Sequence, residues 1–341
     1  MTVLSVAYPL APVGPGVAGG AEQVLWSIER ALADGGCRSI VIAAQGSEVS
    51  AELIETPVFD GEITDEIRRK SQAAHLRAIE EALQRYSIDL IHFHGLDFYA
   101  YLPGENVPML ATLHLPISFY PQSIFALDNV VLNCVSRAQA NSARHIKNLP
   151  VVLNGIPTQQ YRTCSQKQDF LLWLGRICPE KGVHIALQVA HRLDMPLMLA
   201  GMVGPYKDHQ TYFSDCVKPL LDHKRQYIGP VGLETKAALL SAARCLLIPS
   251  LVAETSSLVA MEAISSGTAV VAFNSGALPE VVDHGETGYI VNSEDQMIEA
   301  IRCIDEISPE ICRSRASARF DVRQMVSGYL DLYASLRGLK H

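Results

Sequence analysis

The sequence predicts an α/β protein built from two doubly wound parallel sheets. Three observations carry that expectation. Short runs rich in Val, Ile and Leu alternate with amphipathic helical patterns from end to end, as when helices cover both faces of a parallel sheet. The alternation stops at a polar stretch over 153–168 and restarts at Phe170. Each half has glycine-rich loops of its own. With 341 residues, 48% hydrophobic and 19% charged, the chain can fill two cores, and long disorder is excluded.

In the first half, TVLSVAY (2–8), RSIVIAA (38–44), DLIHFHG (89–95), VPMLATLHL (107–115) and NVVLNCVS (129–136) read as buried strands. Between the first two, Val24, Leu25, Ile28, Ala31 and Leu32 fall on one helical face, and Gly35-Gly36 supply the stop. A second amphipathic helix spans 64–87, capped by Thr64. The second half repeats the pattern with FLLWLGR (170–176), PLMLAGM (196–202), QYIGPV (226–231), CLLIPS (245–250), TAVVAF (268–273) and GYIV (288–291). Domains are expected at 1–155 and 156–315, with a terminal helical segment at 316–341.

Several classes are excluded. No uncharged apolar run reaches the ~18 residues of a membrane span. The start, MTVLSVAYPL, has neither a basic n-region nor a small-residue cleavage site, so no secretory signal is expected. Lys+Arg 28 against Asp+Glu 36 gives −8, the wrong sign for a nucleic-acid binder. The basic knot Arg68, Arg69, Lys70 reads as a solvated helix face. Cysteines at 37, 134, 164, 178, 216, 245, 303 and 312 form no CxxC pair and no zinc-spaced cluster with His. All eight are expected to be buried thiols in a reducing compartment.

Three clusters carry chemistry. The loop PLAPVGPGVAGGAEQ runs from the first strand into a helix, and Gly14, Gly16, Gly19 and Gly20 let backbone N–H groups face an anion. Pro15 spoils the dinucleotide turn, and strand two ends at Ala43-Ala44-Gln45 with no ribose carboxylate, so a dehydrogenase is disfavoured. Next, GRICPEKG places Arg176 at a strand's carboxyl end and Lys181 at the following helix N-terminus. Two cations at that edge suit a diphosphate, although solvated surface charges would give the same spacing. Last, Glu254 and Glu262 stand eight residues apart in LVAETSSLVAMEAISSG, the first at the strand-helix loop and the second within a helix opened by Thr255-Ser256-Ser257. Eight residues are a little over two helical turns, so the carboxylates lie at different depths on nearly one face. The first could accept from sugar hydroxyls, the second from a ribose diol. The N–H groups of Ser257 and Leu258 could hold a phosphate. His92 and His94 alternate along LIHFHG and are expected on opposite faces of their strand, which argues against a shared metal.

Taken together, GRICPEKG, the later Glu-x7-Glu, the hinge Asn154-Gly155-Ile156, the Gly19–Glu22 loop and the Gly276–Val291 block resemble the family-4 glycosyltransferases of the GT-B fold. The resemblance covers nearly the whole chain. It implies two Rossmann-like domains facing a central cleft, the C-terminal one holding a nucleotide-sugar, the N-terminal one the acceptor, and a terminal helix crossing back to the N-terminal domain. By the same resemblance, Arg176 and Lys181 match the diphosphate-binding pair, Glu262 the ribose-binding glutamate and Glu254 the carboxylate that contacts the donor sugar. Gly19 and Gly20 match the loop that approaches the diphosphate. His114 looks like the family histidine that touches the sugar. Two departures stand out: Thr255-Ser256-Ser257 replaces the usual Pro-Phe-Gly or Gly-Phe-Gly, and Leu115 replaces an acidic or polar residue.

The resemblance implies retention of anomeric configuration. No Asp-x-Asp pair occurs in the chain, so transfer is expected to need no metal and no other cofactor. The expected donor is a nucleotide-sugar, uridine and glucose on family frequency. The acceptor is expected to be a saccharide or a lipid-linked one, met in the cytoplasm with peripheral membrane contact left open. An anionic acceptor is disfavoured, since residues 1–155 hold 10 basic against 16 acidic side chains, and the remainder 18 against 20. An epimerase or sugar phosphorylase on the same scaffold, or a nucleotide-sugar-binding protein without turnover, are the alternatives.

Overall fold

The computed structural model describes residues 1–17, 19–59, 63–104, 106–144, 146, 149–161, 167–204 and 206–338. It divides into two compact units, Met1–Asn154 together with the helix from Val322, and Gly155–Asp321.

The first unit holds β1 (Thr2–Val6), α1 (Gly20–Asp34), β2 (Arg38–Ala44), β3 (Glu52–Thr56), α2 (Asp65–Arg85), β4 (Leu90–Phe93), β5 (Met109–Leu113), β6 (Val130–Cys134) and α3 (Arg137–Ser142). Its sheet is parallel, in the order β3-β2-β1-β4-β5-β6. Continuous burial of β1, β2, β4 and β5 follows from helices on both faces. Thr64 caps α2, its hydroxyl accepting from Ile67 N at 3.2 Å. The strand β3 has no counterpart in the sequence reading. It lies at the sheet edge with Glu52 and Glu55 exposed, and such an edge needs no apolar run.

The second unit holds β7 (Leu171–Leu174), α4 (Val183–Leu193), β8 (Leu197–Ala200), α5 (Lys207–Tyr212), β9 (Arg225–Gly229), α6 (Leu233–Ala242), β10 (Cys245–Ile248), α7 (Leu258–Ser265), β11 (Ala269–Phe273), α8 (Leu278–Val281), β12 (Gly288–Val291), α9 (Glu294–Arg302) and α10 (Pro309–Arg319). Its strands, also parallel, order as β12-β11-β10-β7-β8-β9. This is the same winding as the first sheet, and its core runs from Ile156 through Phe320.

The second unit extends to Asp321, beyond the 315 expected from sequence. The end of α10 is tied down by Ile156 N to Phe320 O (2.8 Å) and Thr158 Oγ1 to Asp321 Oδ2 (2.7 Å). The last helix, α11 (Val322–Gly338), belongs to the first unit. There Tyr329 and Tyr333 are fully buried, and the Tyr333 hydroxyl meets His92 Nδ1 at 2.7 Å.

The thiols divide. Cys134, Cys178, Cys245 and Cys312 are buried, Cys37 is half-buried, and Cys216 and Cys303 are exposed, contrary to the expectation for all eight. Neither exposed thiol lies within a strand or its covering helix face. Cys164 lies outside the described residues.

Candidate active site

In the second unit the strand order reverses between β7 and β10. Loops leaving the carboxyl ends of such a pair splay apart and bind ligands. Here they are tightly interlocked. After β7 the chain makes a 3-10 turn, Pro179–Lys181, and reaches Gly182 at φ 62°. A Cβ on Gly182 would run into the Pro249 carbonyl of the loop after β10. Leu251 N donates to Glu180 O at 2.8 Å across the same junction. The loop after β11 supports the other side: Ala277 N donates to Glu254 O at 2.7 Å, and Ser275 Oγ to Val252 O at 2.6 Å. A side chain on Gly276, at φ 56°, would strike the Glu254 backbone. The sequence thus uses glycines where these backbones close on one another.

These loops bring Lys181 and Glu254 together. Lys181 Nζ donates to both carboxylate oxygens of Glu254, at 2.6 and 2.8 Å, and Ser250 Oγ adds a bond at 2.5 Å. Glu254 is nearly buried in this grip, at 9% side-chain exposure. Arg176 is exposed and forms no ion pair among the described residues. Glu254 stands in the loop between β10 and α7, and Glu262 lies on that helix, where the sequence places each of them. Ser257 is the N-cap, its Oγ accepting from Ala260 N at 3.4 Å, and Leu258 opens the helix.

Glu262 is buried. It accepts from Lys236 Nζ at 2.6 Å and from the Tyr161 hydroxyl at 2.8 Å. Burial and the neighbouring carboxylate push the Tyr161 phenol well above its ordinary range. Neither Lys236 nor Tyr161 was visible as a site residue, because each meets Glu262 across a long sequence gap. Removing Lys236 would strand a buried charge. Lys236→Ala is expected to destabilise the second unit by about 3 kcal/mol, read as a lower urea midpoint, and Glu262→Gln in the same chain should recover part of the loss.

In the first unit Gly19 is the N-cap of α1 and Gly20 its first residue. A Cβ on Gly19 would run into the Glu22 carboxylate, which folds back over the helix start. His114 follows β5 and is half-buried. Its Nε2 lies 3.1 Å from His94 Nδ1, with the rings stacked at 5.4 Å. His94 Nε2 is shut off from solvent with no partner among the described residues. An orphaned N–H is rarer than an orphaned acceptor, which assigns the donated proton to His94 Nδ1 and leaves His114 accepting at Nε2. Burial holds both imidazoles neutral, far below the usual histidine range. His92 and His94 do not face opposite sides of β4: their ring centroids are 4.0 Å apart. Residues two apart on a strand share a face, so the sequence expectation was inverted.

One group of metal-ligating side chains assembles among the described residues, Cys178, Glu180 and His209. Its third member comes from α5, which hid it from a search by spacing.

Comparison with known proteins is consistent from end to end. The model of Glycosyltransferase Family 4 matches residues 18–160, and that of Glycosyl transferases group 1 matches 168–305. A D-inositol 3-phosphate glycosyltransferase of Corynebacterium efficiens is 34% identical over 131 residues, 36% of this chain and 31% of that protein. The lipopolysaccharide 1,2-N-acetylglucosaminetransferase of Salmonella typhimurium is 24% identical over 233 residues, 60% of this chain and 59% of that one. The matched stretches therefore span less than two thirds of either relative. Among solved structures, sucrose-phosphate synthase from Thermosynechococcus elongatus superposes with a TM-score of 0.82 at 19% identity over 99% of both chains. Anabaena HepE, solved with UDP and glucose, gives 0.76 at 18% over 98% of this chain and 99% of that one. At these identities the likeness speaks for the fold alone. With one model covering most of each half, the chain belongs to the family-4 glycosyltransferases of the GT-B fold.

Proposed function

We propose that this chain is a retaining glycosyltransferase that moves a hexose, glucose by preference, from a UDP-sugar to a saccharide or lipid-linked acceptor. The observation that carries the proposal is the charge arrangement at the β7/β10 switch point. Arg176, which forms no ion pair among the described residues, and the Lys181–Glu254 pair sit on interlocked loops, and Glu262 lies further along α7. In this reading Arg176, Lys181 and the N–H groups of Ser257 and Leu258 hold the diphosphate. Glu254 takes the donor sugar's hydroxyls and Glu262 the ribose. UDP and glucose are favoured because HepE, of the same fold, is solved with both.

Cleavage of the anomeric C–O bond moves negative charge onto the leaving diphosphate. Fixed cations aimed there stabilise the transition state more than the ground state. Two side-chain cations and helical N–H groups can do this without Mg2+ or Mn2+ on the diphosphate. The reading gives Glu254, bonded by Lys181 and Ser250 among the described residues, to the sugar hydroxyls and names no carboxylate pair for the anomeric carbon. A double displacement requires a carboxylate pair about 5 Å apart. A front-face route follows: a leaving-phosphate oxygen takes the acceptor's proton as its hydroxyl oxygen bonds to the anomeric carbon. The acceptor belongs to the first unit, with the Gly19–Gly20 helix start and neutral His114 at its sheet edge. Free thiols at Cys134, Cys245 and Cys312 suit the cytoplasm.

The test is a thermal-shift panel of UDP, GDP and ADP, then the matching sugar nucleotides. A ligand at a hundredfold excess over its dissociation constant stabilises the fold by about 2.7 kcal/mol. UDP should give the largest shift, unchanged by added Mg2+ or Mn2+. A shift with GDP or ADP alone reassigns the base. An epimerised donor or free sugar phosphate as product would overturn transfer.

A further inference from the structure

The loop after β7, which carries Arg176 and Lys181, holds two more side chains that the donor reading leaves idle. Cys178 is the N-cap of its 3-10 turn and is buried, and Glu180 follows two residues on. His209, from α5, joins them: one ligand atom from each residue lies within 4.8 Å of the other two. The imidazole is held in place. Any Cβ on Gly204 would run into its Nδ1, and Tyr206 closes on the ring edge-to-face at 5.2 Å. That Nδ1 is shut off from solvent and has no hydrogen-bond partner among the described residues. A buried imidazole nitrogen left unpaired calls for an explanation, such as an ion.

We propose that Cys178, Glu180 and His209 bind one zinc-type divalent ion, with water as the fourth ligand, and so clip the Lys181 turn to α5. The donor set decides the class. Thiolate and imidazole select a borderline-soft ion, whereas magnesium and calcium take oxygen ligands. Zinc bonds of about 2.0–2.3 Å place tetrahedral ligand atoms roughly 3.3–3.8 Å apart. The observed span therefore needs a contraction of about 1 Å, within reach of side-chain rotation. Binding releases the thiol proton, which now points toward Arg176 O at 3.6 Å. Thiolate and carboxylate then balance the ion's two charges, so Arg176 and Lys181 in the same loop face no net cation. The ion ties the loop after β7 to α5 and makes no demand on the diphosphate, whose binding remains with the protein cations.

Chelator-treated protein titrated with Co2+ alone tests this. One ion per chain should bind, with a thiolate-to-cobalt charge-transfer band and tetrahedral d–d bands, and Zn2+ should displace it. Cys178→Ser should remove the charge-transfer band. His209→Gln should weaken Co2+ by more than about tenfold, and it stands as the second test should Cys178→Ser fold poorly. Cys216→Ser, at the exposed thiol beyond α5, should change nothing. The proposal is overturned if the wild-type chain gives no thiolate band, if the band survives Cys178→Ser, or if Co2+ binds equally to His209→Gln. No donor is present in the experiment, so its failure leaves the transferase reading untouched.

Discussion

Glu254→Ala is expected to lower kcat by about 10²–10³-fold, or roughly 3–4 kcal/mol of transition-state stabilisation, while UDP affinity stays within a few-fold of wild type. The geometry sets the sign of the second part. Glu254 occupies both of its oxygens with Lys181 Nζ in the free protein. Removing the carboxylate frees that ammonium for the diphosphate, so UDP is expected to bind equally well or more tightly. The sugar loses its acceptor at the same stroke, and catalysis falls. Glu254→Gln keeps an oxygen acceptor but leaves Lys181 without its counter-charge, and should show an intermediate kcat. Loss of UDP affinity in step with kcat would move Glu254 from the sugar to the nucleotide.

The second large effect is acid sensitivity of the first unit. His75, His92 and His94 are buried there, and His114 is half-buried. Burial pushes His75 down to about 4 and holds the other three well below the ordinary range. In the unfolded chain each titrates near ~6.5. A depressed folded pKa means that the unfolded state binds more protons below that value, so stability is lost as pH falls through 6.5. Each fully depressed histidine costs about 1 kcal/mol between pH 7 and pH 5.5. The four together amount to roughly 4–5 kcal/mol, against a total stability of ~5–15 kcal/mol. Asp97 and Glu29 are raised by burial and act in the opposite direction, nearer the carboxylate range. Urea midpoints at the two pH values measure the loss. A midpoint independent of pH over this interval would mean that the imidazoles are protonated in the folded protein.

Local pattern and long-range pairing were unequally legible in the sequence. Apolar runs marked β1, β2, β4–β6 and β7, β8, β10, β11 and β12, because strands covered on both faces are largely apolar. The edge strand β9 was marked by its Tyr227-Ile228 pair, although Arg225 and Gln226 interrupt the run. The edge strand β3 escaped, since Glu52 and Glu55 break the run. Arg176, Lys181, Glu254 and Glu262 stand out as candidates by the motifs that carry them, yet their pairing does not. Lys181 reaches Glu254 across 73 residues, and Tyr161 reaches Glu262 across 101. No local periodicity records such pairs. The buried hydroxyls of Tyr329 and Tyr333, which meet Thr112 and His92, arrive from the far end of the chain for the same reason. His92 and His94 share a face of β4, their rings 4.0 Å apart, because residues two apart on a strand point the same way.

The central claim is that Lys181 grips the diphosphate of the bound donor. Calorimetric titration of UDP and of uridine into wild type and Lys181→Ala tests it most directly. A charge-assisted hydrogen bond of about 1.5–3 kcal/mol predicts that UDP weakens by roughly 10–150-fold, with uridine changed by less than about threefold. Equal weakening of UDP and uridine, or no weakening of either, would contradict the account.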